Sequence, residues 1–226
     1  MRRAGLLTTV VLTLALTSCG SGATSNETGT ASDKPTSAET TTPTATQTVE
    51  ATPSAKVLSK PKLESALLTL QDLPPGYSQD PPSEERVKNF CDYKPPFGNG
   101  LVYARADFTK GAGMSAELLS VGLRQFASAS EAKASFQALV DALKTCRSET
   151  YAGSKLTYSA MSTAKLGEGA IGVKIDAGGT TLVQNFVLVG PTLVSTGGGG
   201  LVNTDADSVT RLLTAQVNRY TAAASQ

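Results

Sequence analysis

Apolar residues follow three regimes along the chain. Residues 4–16 form a short apolar run, residues 20–55 carry almost no large apolar side chain, and beyond that apolar positions recur with the periods of helices and strands. In this third region Leu63, Ala66, Leu67 and Leu70 recur at helical spacing, which predicts a helix over 62–70 closed by Leu73-Pro74-Pro75-Gly76. Prolines at 81, 82, 95 and 96 then predict a long irregular stretch around Cys91.

Two strands should follow, over 101–108 and 117–125, joined by a hairpin linker at 109–113. In the second, Leu119, Val121 and Leu123 share one face, and Ser120, Gly122 and Arg124 the other. In the first, Arg105 and Asp107 share the face of Leu101 and Tyr103. Ser128 with Glu131 makes a capping box, and Phe136, Leu139, Val140 and Leu143 form an apolar helical stripe that Cys146 ends. Strands over 155–160, 170–176, 180–189 and 192–195 come next, with turn signals at Ala177-Gly178-Gly179 and Gly190-Pro191, so they read as an antiparallel meander. Val183 and the run from Phe186 to Val189 put apolar side chains on both faces, as in a central strand.

The four glycines at 197–200 read as a flexible loop before a last helix. Thr204 and Asp207 would cap that helix, and Val209, Leu212, Leu213, Val217 and Tyr220 supply its stripe. These elements predict an α+β fold: an antiparallel sheet with helices packed against it, after a disordered N-terminal tether.

The first two regimes say where the chain goes. Arg2 and Arg3 precede an apolar run of about thirteen residues, the form of a signal peptide, and too short for a span that takes about 20. The Arg-Arg pair hints at twin-arginine export, but its surroundings match that motif poorly and an ordinary positive n-region is the simpler reading. Leu16-Thr17-Ser18-Cys19 resembles the lipobox of bacterial lipoproteins. That resemblance implies cleavage before Cys19, lipid on its thiol, and acylation, typically by palmitate, of the freed amine. The alternative is a plain secretory signal with an incidental cysteine. The domain expectation is therefore a signal peptide at 1–18, a lipidated Thr/Ser/Pro-rich tether at 19–56, and a folded domain at 57–226. The tether is too polar to bury enough surface to offset its ordering entropy, and as a coil it would average about 30–35 Å end to end. Its Thr-Pro clusters also resemble O-glycosylated stalks.

Charge narrows the partners. The chain carries 20 Lys+Arg against 19 Asp+Glu. Without Arg2 and Arg3 the balance is 18 against 19, so no basic excess supports nucleic-acid binding, and lipid chains must do any anchoring. The expected partners are the membrane through the N-terminal lipid, a small-molecule or cell-wall ligand, and a membrane-protein partner.

Histidine is absent, which excludes Ser-His-Asp and Cys-His catalysis and H-E-x-x-H metal sites. Carboxylate chemistry on glycans stays open as an alternative, and so does a purely structural wall role. No cofactor or metal is expected. With Cys19 taken by lipid, Cys91 and Cys146 remain as an even pair in an oxidising compartment and read as a disulfide; free thiols or a partner-linked cysteine are the alternatives. Arg105, Arg124 and Asn185 are polar residues inside predicted strands. They would line a ligand cleft if they share a face, and form an ordinary solvated surface otherwise. Tyr93, in the proline-rich loop, would add a binding lip, or simply pack over the core edge. The glycine run lacks the spacing of a phosphate-binding loop, and Asp205 and Asp207 in the first turn of the helix would repel an anion. Asp205-Ala206-Asp207 lacks the glycine and distal glutamate of a calcium loop.

The set of signals from Leu70-x-x-Leu73-Pro74-Pro75-Gly76-Tyr77 through Cys91, the two-strand unit, the helix ending in Cys146, Leu166-Gly167-Glu168 and the meander with Val189-Gly190 resembles the PknH-like extracellular sensor domains of actinobacteria, over about residues 60–224. Such domains occur on receptor kinases and as free lipoproteins. The resemblance implies an α+β sandwich with an envelope ligand-sensing or binding role, on the outer face of the cytoplasmic membrane. Two departures stand out. No kinase domain or transmembrane helix is present in this sequence, so signal transduction within the chain is not expected. Family members often carry a second disulfide, and the cysteines here suffice for one.

Overall fold

The computed structural model describes residues 55–82, 90–97, 102–200 and 205–226. Three helices, α1 (Lys60–Ser65), α2 (Ala129–Thr145) and α3 (Ala206–Ala224), pack against eight strands: β1 (Tyr77–Gln79), β2 (Val102–Lys110), β3 (Glu117–Gln125), β4 (Ser148–Tyr151), β5 (Ser154–Met161), β6 (Gly169–Ala177), β7 (Thr180–Val189) and β8 (Thr192–Gly200). All eight join one antiparallel sheet in the order β1-β2-β3-β8-β7-β6-β5-β4. The chain lays down one half of the sheet, crosses to the far edge through α2, and meanders back. Its last strand then closes onto β3, from Glu117↔Gly200 to Gln125↔Thr192.

Strand alternation sorts the core into two layers. Ala104, Ala106 and Phe108 of β2, Val121 and Leu123 of β3, and Val183 and Val187 of β7 face α1 and α3, where they meet Leu63, Val209, Leu213 and Tyr220. The opposite face presents Tyr158, Val173, Ile175, Leu188 and Leu193 to Leu139 and Leu143 of α2. On this second face α2 packs on β7 and β8. Most of β2 and β3 is therefore left without a helix above it, and that gap defines the site described below.

Two fully buried glutamines tie the leading segment down. Gln125 accepts from the Leu58 N–H at 2.7 Å and donates to the Leu58 carbonyl at 2.6 Å. Gln216 of α3 accepts from the Leu68 N–H at 2.9 Å and donates to the Ala66 carbonyl at 2.8 Å. Each amide thus imitates a strand neighbour, satisfying one donor and one acceptor of a buried backbone. These bonds explain why α1 is shorter than the predicted 62–70. The backbone past Ala66 is claimed by α3 and does not continue the helix; a separate 3-10 turn forms at Leu70–Asp72.

The glycine run, expected as a loop, is instead the second half of a central strand. A Cβ at Gly198 would lie 2.4 Å from Val209 Cγ2 of α3, and one at Gly199 would lie 2.2 Å from Leu182 Cδ2. At these two positions a neighbouring side chain leaves no room for a Cβ, and the ladder bonds to β3 and β7 offset the entropy that glycine loses on ordering. Edge strands β1 and β4 carry no apolar alternation and were not predicted. At the last helix Asp205 is the cap, accepting from the N–H groups of Asp207 and Ser208; Thr204, the cap expected from the sequence with Asp207, lies outside the described residues. So do Leu101, Cys19 and the leader, and all of the tether except Ala55 and Lys56, which already belong to the fold: Lys56 N–H donates to the Ala224 carbonyl.

Cys91 and Cys146 form a disulfide with Cα atoms 5.9 Å apart, stapling the end of α2 to the proline-rich segment. Cys91 adopts a left-handed φ of 44°, and its N–H is held by Glu149 Oε1 at 3.2 Å.

Candidate functional site

The sheet face left open beside α2 is a trough. Two consecutive cross-strand rows, running from β2 through β3 and β8 to β7, read Arg105–Gly122–Ser195–Phe186 and Asp107–Ser120–Gly197–Gln184. Each row is large at its ends and small in the middle, so the floor is glycine and serine and the walls are long side chains. Packing keeps the floor small. A Cβ at Gly122 would lie 2.7 Å from Ser195 Oγ, and one at Gly197 would lie 2.8 Å from Ser120 Oγ. The row Tyr103–Arg124–Leu193 closes the end toward α2.

Two cavities fill this trough, of about 290 Å³ and about 340 Å³; both are lined by Arg105, Ser120, Gln184 and Gly197, so they form one continuous depression. Tyr151 of β4, at the far edge of the sheet, lines the same cavity as Tyr103 of β2. The sheet must therefore curl around the trough, as strand twist favours.

Charge is concentrated on one wall. Arg105 donates from Nε to both oxygens of Asp107, at 2.8 and 2.7 Å, which aims its guanidinium along the trough. Burial by itself would lower the Arg105 pKa, but the bonds and charge of Asp107, with Tyr103, carry it above its ordinary value. The Arg124 guanidinium sits 5.9 Å from the centroid of the Tyr103 ring, a cation–π stack that holds the side chain without neutralising it. Tyr93 lies at the α2 end, where its hydroxyl donates to the Ser135 carbonyl at 3.1 Å. Burial raises the Tyr93 pKa, and the nearby Arg124 charge partly offsets this. A small cavity of about 50 Å³, lined among others by Tyr93, Arg124, Gln184 and Phe186, connects the loop to the trough.

Of the four residues singled out in the sequence, the structure therefore brings Arg105, Arg124 and Tyr93 together and sends Asn185 elsewhere. Asn185 is fully buried on the opposite face, in the row with Gly172 and Thr196. Neither its side-chain oxygen nor its nitrogen has a hydrogen-bond partner among the described residues. The reason is parity: neighbours along a strand point to opposite faces, so Gln184 and Phe186, one position to either side, line the trough instead. Sequence reasoning missed these two, and also Tyr103 and Tyr151. The available signal was the pairing of Ser120-x-Gly122 with Ser195-x-Gly197, two small-residue alternations that lie side by side only once the β3–β8 register is known.

The trough can hold an anionic or polar ligand between an arginine–tyrosine wall and an aromatic one. Asp80 and Asp107 also line it, but Thr109 donates to Asp80 at 2.8 Å and Asp107 is committed to Arg105. Among the described residues no group of His, Cys, Asp or Glu side chains is placed to hold a metal ion.

No protein-family model matches the chain, and no curated protein matches it. A solved structure that does match is the extracellular domain of PknH from Mycobacterium tuberculosis, with a TM-score of 0.57 and 13% sequence identity, covering 74% of this chain and 98% of that domain. At that identity the likeness is one of fold: the chain has the architecture of the PknH extracellular domain, built from largely different residues.

Proposed function

We propose that this protein is a lipid-anchored binding module of the cell envelope, which captures a small-molecule or wall-derived ligand in the trough on the open sheet face. The observation that carries the reading is the Arg105–Arg124–Tyr103 wall over a floor of glycine and serine. Arg124 makes no ion pair among the described residues and keeps its charge for a ligand; Arg105 is pre-oriented by Asp107. Charged groups held in place before binding lose little freedom on binding, which favours affinity. The extracellular placement named for the PknH domain supports a position outside the cell, and the lipobox-like Leu16-Thr17-Ser18-Cys19 supports attachment there by lipid. Among the described residues no helix is long and apolar enough to cross a membrane. A membrane-protein partner or a sensing role would use the same trough as its input.

Two measurements test this. Native mass spectrometry of the chain purified from its own envelope should show a retained ligand, and the Arg105→Ala/Arg124→Ala double variant should lose it with an unchanged melting temperature. Truncating two charged contacts should cost roughly 2–5 kcal/mol in binding, a loss of about thirtyfold or more in affinity. A ligand retained equally by both proteins removes the trough as the site. Separately, Cys19→Ala should move the protein out of the membrane fraction or leave its leader uncut; a normally processed, membrane-bound variant would show that Cys19 carries no anchor.

A further inference from the structure

A second cavity, of about 210 Å³, lies under α2 and does not share the residues of the trough. Val140 and Leu143 of α2 roof it; Ala160 of β5 and Ile171 and Val173 of β6 form its floor. Its lining is mostly apolar; the polar residues are Tyr158 and Ser159 of β5 and two cations at the end of α2. Tyr158 lines it, yet the phenol hydroxyl is already donated to Glu149. The charged residues at its wall are Lys144 and Arg147, both cations and both at the C-terminal end of α2. Their neighbours decide which charge is available. Asp141 holds Lys144 at 2.7 Å, and Glu149, the other carboxylate close by, is engaged by Tyr158 and the Cys91 N–H. Arg147 makes no ion pair among the described residues, while its carbonyl accepts from Tyr158 N–H at 2.8 Å and so pins it beside the cavity.

We propose that this cavity is a binding site for a fatty-acid-like anion: one unbranched alkyl chain in the slot and one carboxylate on Arg147. The slot rewards methylene groups, each worth about 0.8 kcal/mol when buried, and offers few hydrogen-bond partners to a ligand rich in hydroxyls. Arg147, unpaired among the described residues, selects the headgroup. A planar carboxylate accepts two parallel bonds from a guanidinium, whereas a cationic headgroup would be repelled and a neutral one would gain no charge-assisted bond. One negative charge suffices, because Lys144 is already balanced by Asp141. This site is independent of the trough.

The test is a calorimetric titration of the full chain with three probes of equal chain length, dodecanoate, dodecyltrimethylammonium and dodecyl maltoside, each kept below its micelle concentration. Dodecanoate should bind saturably at one site and about tenfold or more tightly than either other probe, a margin of about 1.4 kcal/mol. Arg147→Gln should weaken dodecanoate about tenfold, bringing it level with the neutral probe. Ala160→Phe, at an exposed position whose new ring would fill the slot, should abolish binding, while Arg105→Ala in the trough leaves it unchanged. Equal affinity for anion and cation, loss on Arg105→Ala, undiminished binding in Ala160→Phe, or no saturable binding at all would each overturn the proposal. Arg147→Gln is a surface change and keeps the test decisive if the phenylalanine variant fails to fold.

Discussion

Replacing Gln216 by alanine should lower the unfolding free energy by about 3–5 kcal/mol. The side chain is fully buried in α3, and among the described residues its amide alone bonds two backbone groups, the Leu68 N–H and the Ala66 carbonyl. Truncation strands both groups away from water, at about 1–3 kcal/mol each, and leaves a buried void that adds a cavity cost. Gln216→Leu separates the terms: it refills the volume but restores neither bond, so it should recover only the cavity part. Gln216→Glu should be no better, because a carboxylate can accept from Leu68 but cannot donate to Ala66, and it brings a buried charge. Urea unfolding of the full chain, with unchanged slope, measures each loss. An alanine variant within about 1 kcal/mol of wild type would mean that water or a rearranged leading segment satisfies those groups.

Removing the disulfide should have a comparable effect with a functional corollary. Cys91 and Cys146 are 55 residues apart, and in the chain-entropy view a loop of that size is worth about 4 kcal/mol. The bond also anchors the Phe90–Tyr93 segment, where Phe90 stacks edge-on against Tyr158 and Phe186 with ring centroids 5.3 and 6.1 Å away. Because Phe186 is a trough wall and Tyr93 stands at its end, a Cys91→Ser/Cys146→Ser variant should lose stability and trough binding together. Thermal unfolding with and without a thiol reductant checks this: reductant should lower the melting temperature of the wild type and leave that of the double variant unmoved. A wild type indifferent to complete reduction would show that contacts, not the bond, hold the segment.

The candidate site shows where reading residues in order stops working. Arg105 and Arg124 were visible as charges inside strands, and the structure sets them in adjacent rows of one face. Asn185 looked equivalent and is not, because a single step of register inverts every side chain of a strand. The glycine run looked like a loop because glycine has no side chain with which to announce a strand. Its partners, Val209 and Leu182, stand ten or more residues away in the chain. The short strands β1 and β4 are held by pairing at the sheet edges, and no pattern of their own marks them.

Local chemistry alone was enough for the long elements: the stripes of α2 and α3, the Ser128 cap of α2, the alternation of β3 and β6, and the α+β class, because these depend on contacts within a few residues and on which face is greasy. The pairing of Cys91 with Cys146 followed from counting. Tertiary structure decided the order of strands, the closure of β8 on β3, the grip of Gln125 and Gln216 on the leading segment, and hence the trough. Those depend on which face each side chain presents after distant segments meet, and alternation along one strand fixes that only up to a choice of side.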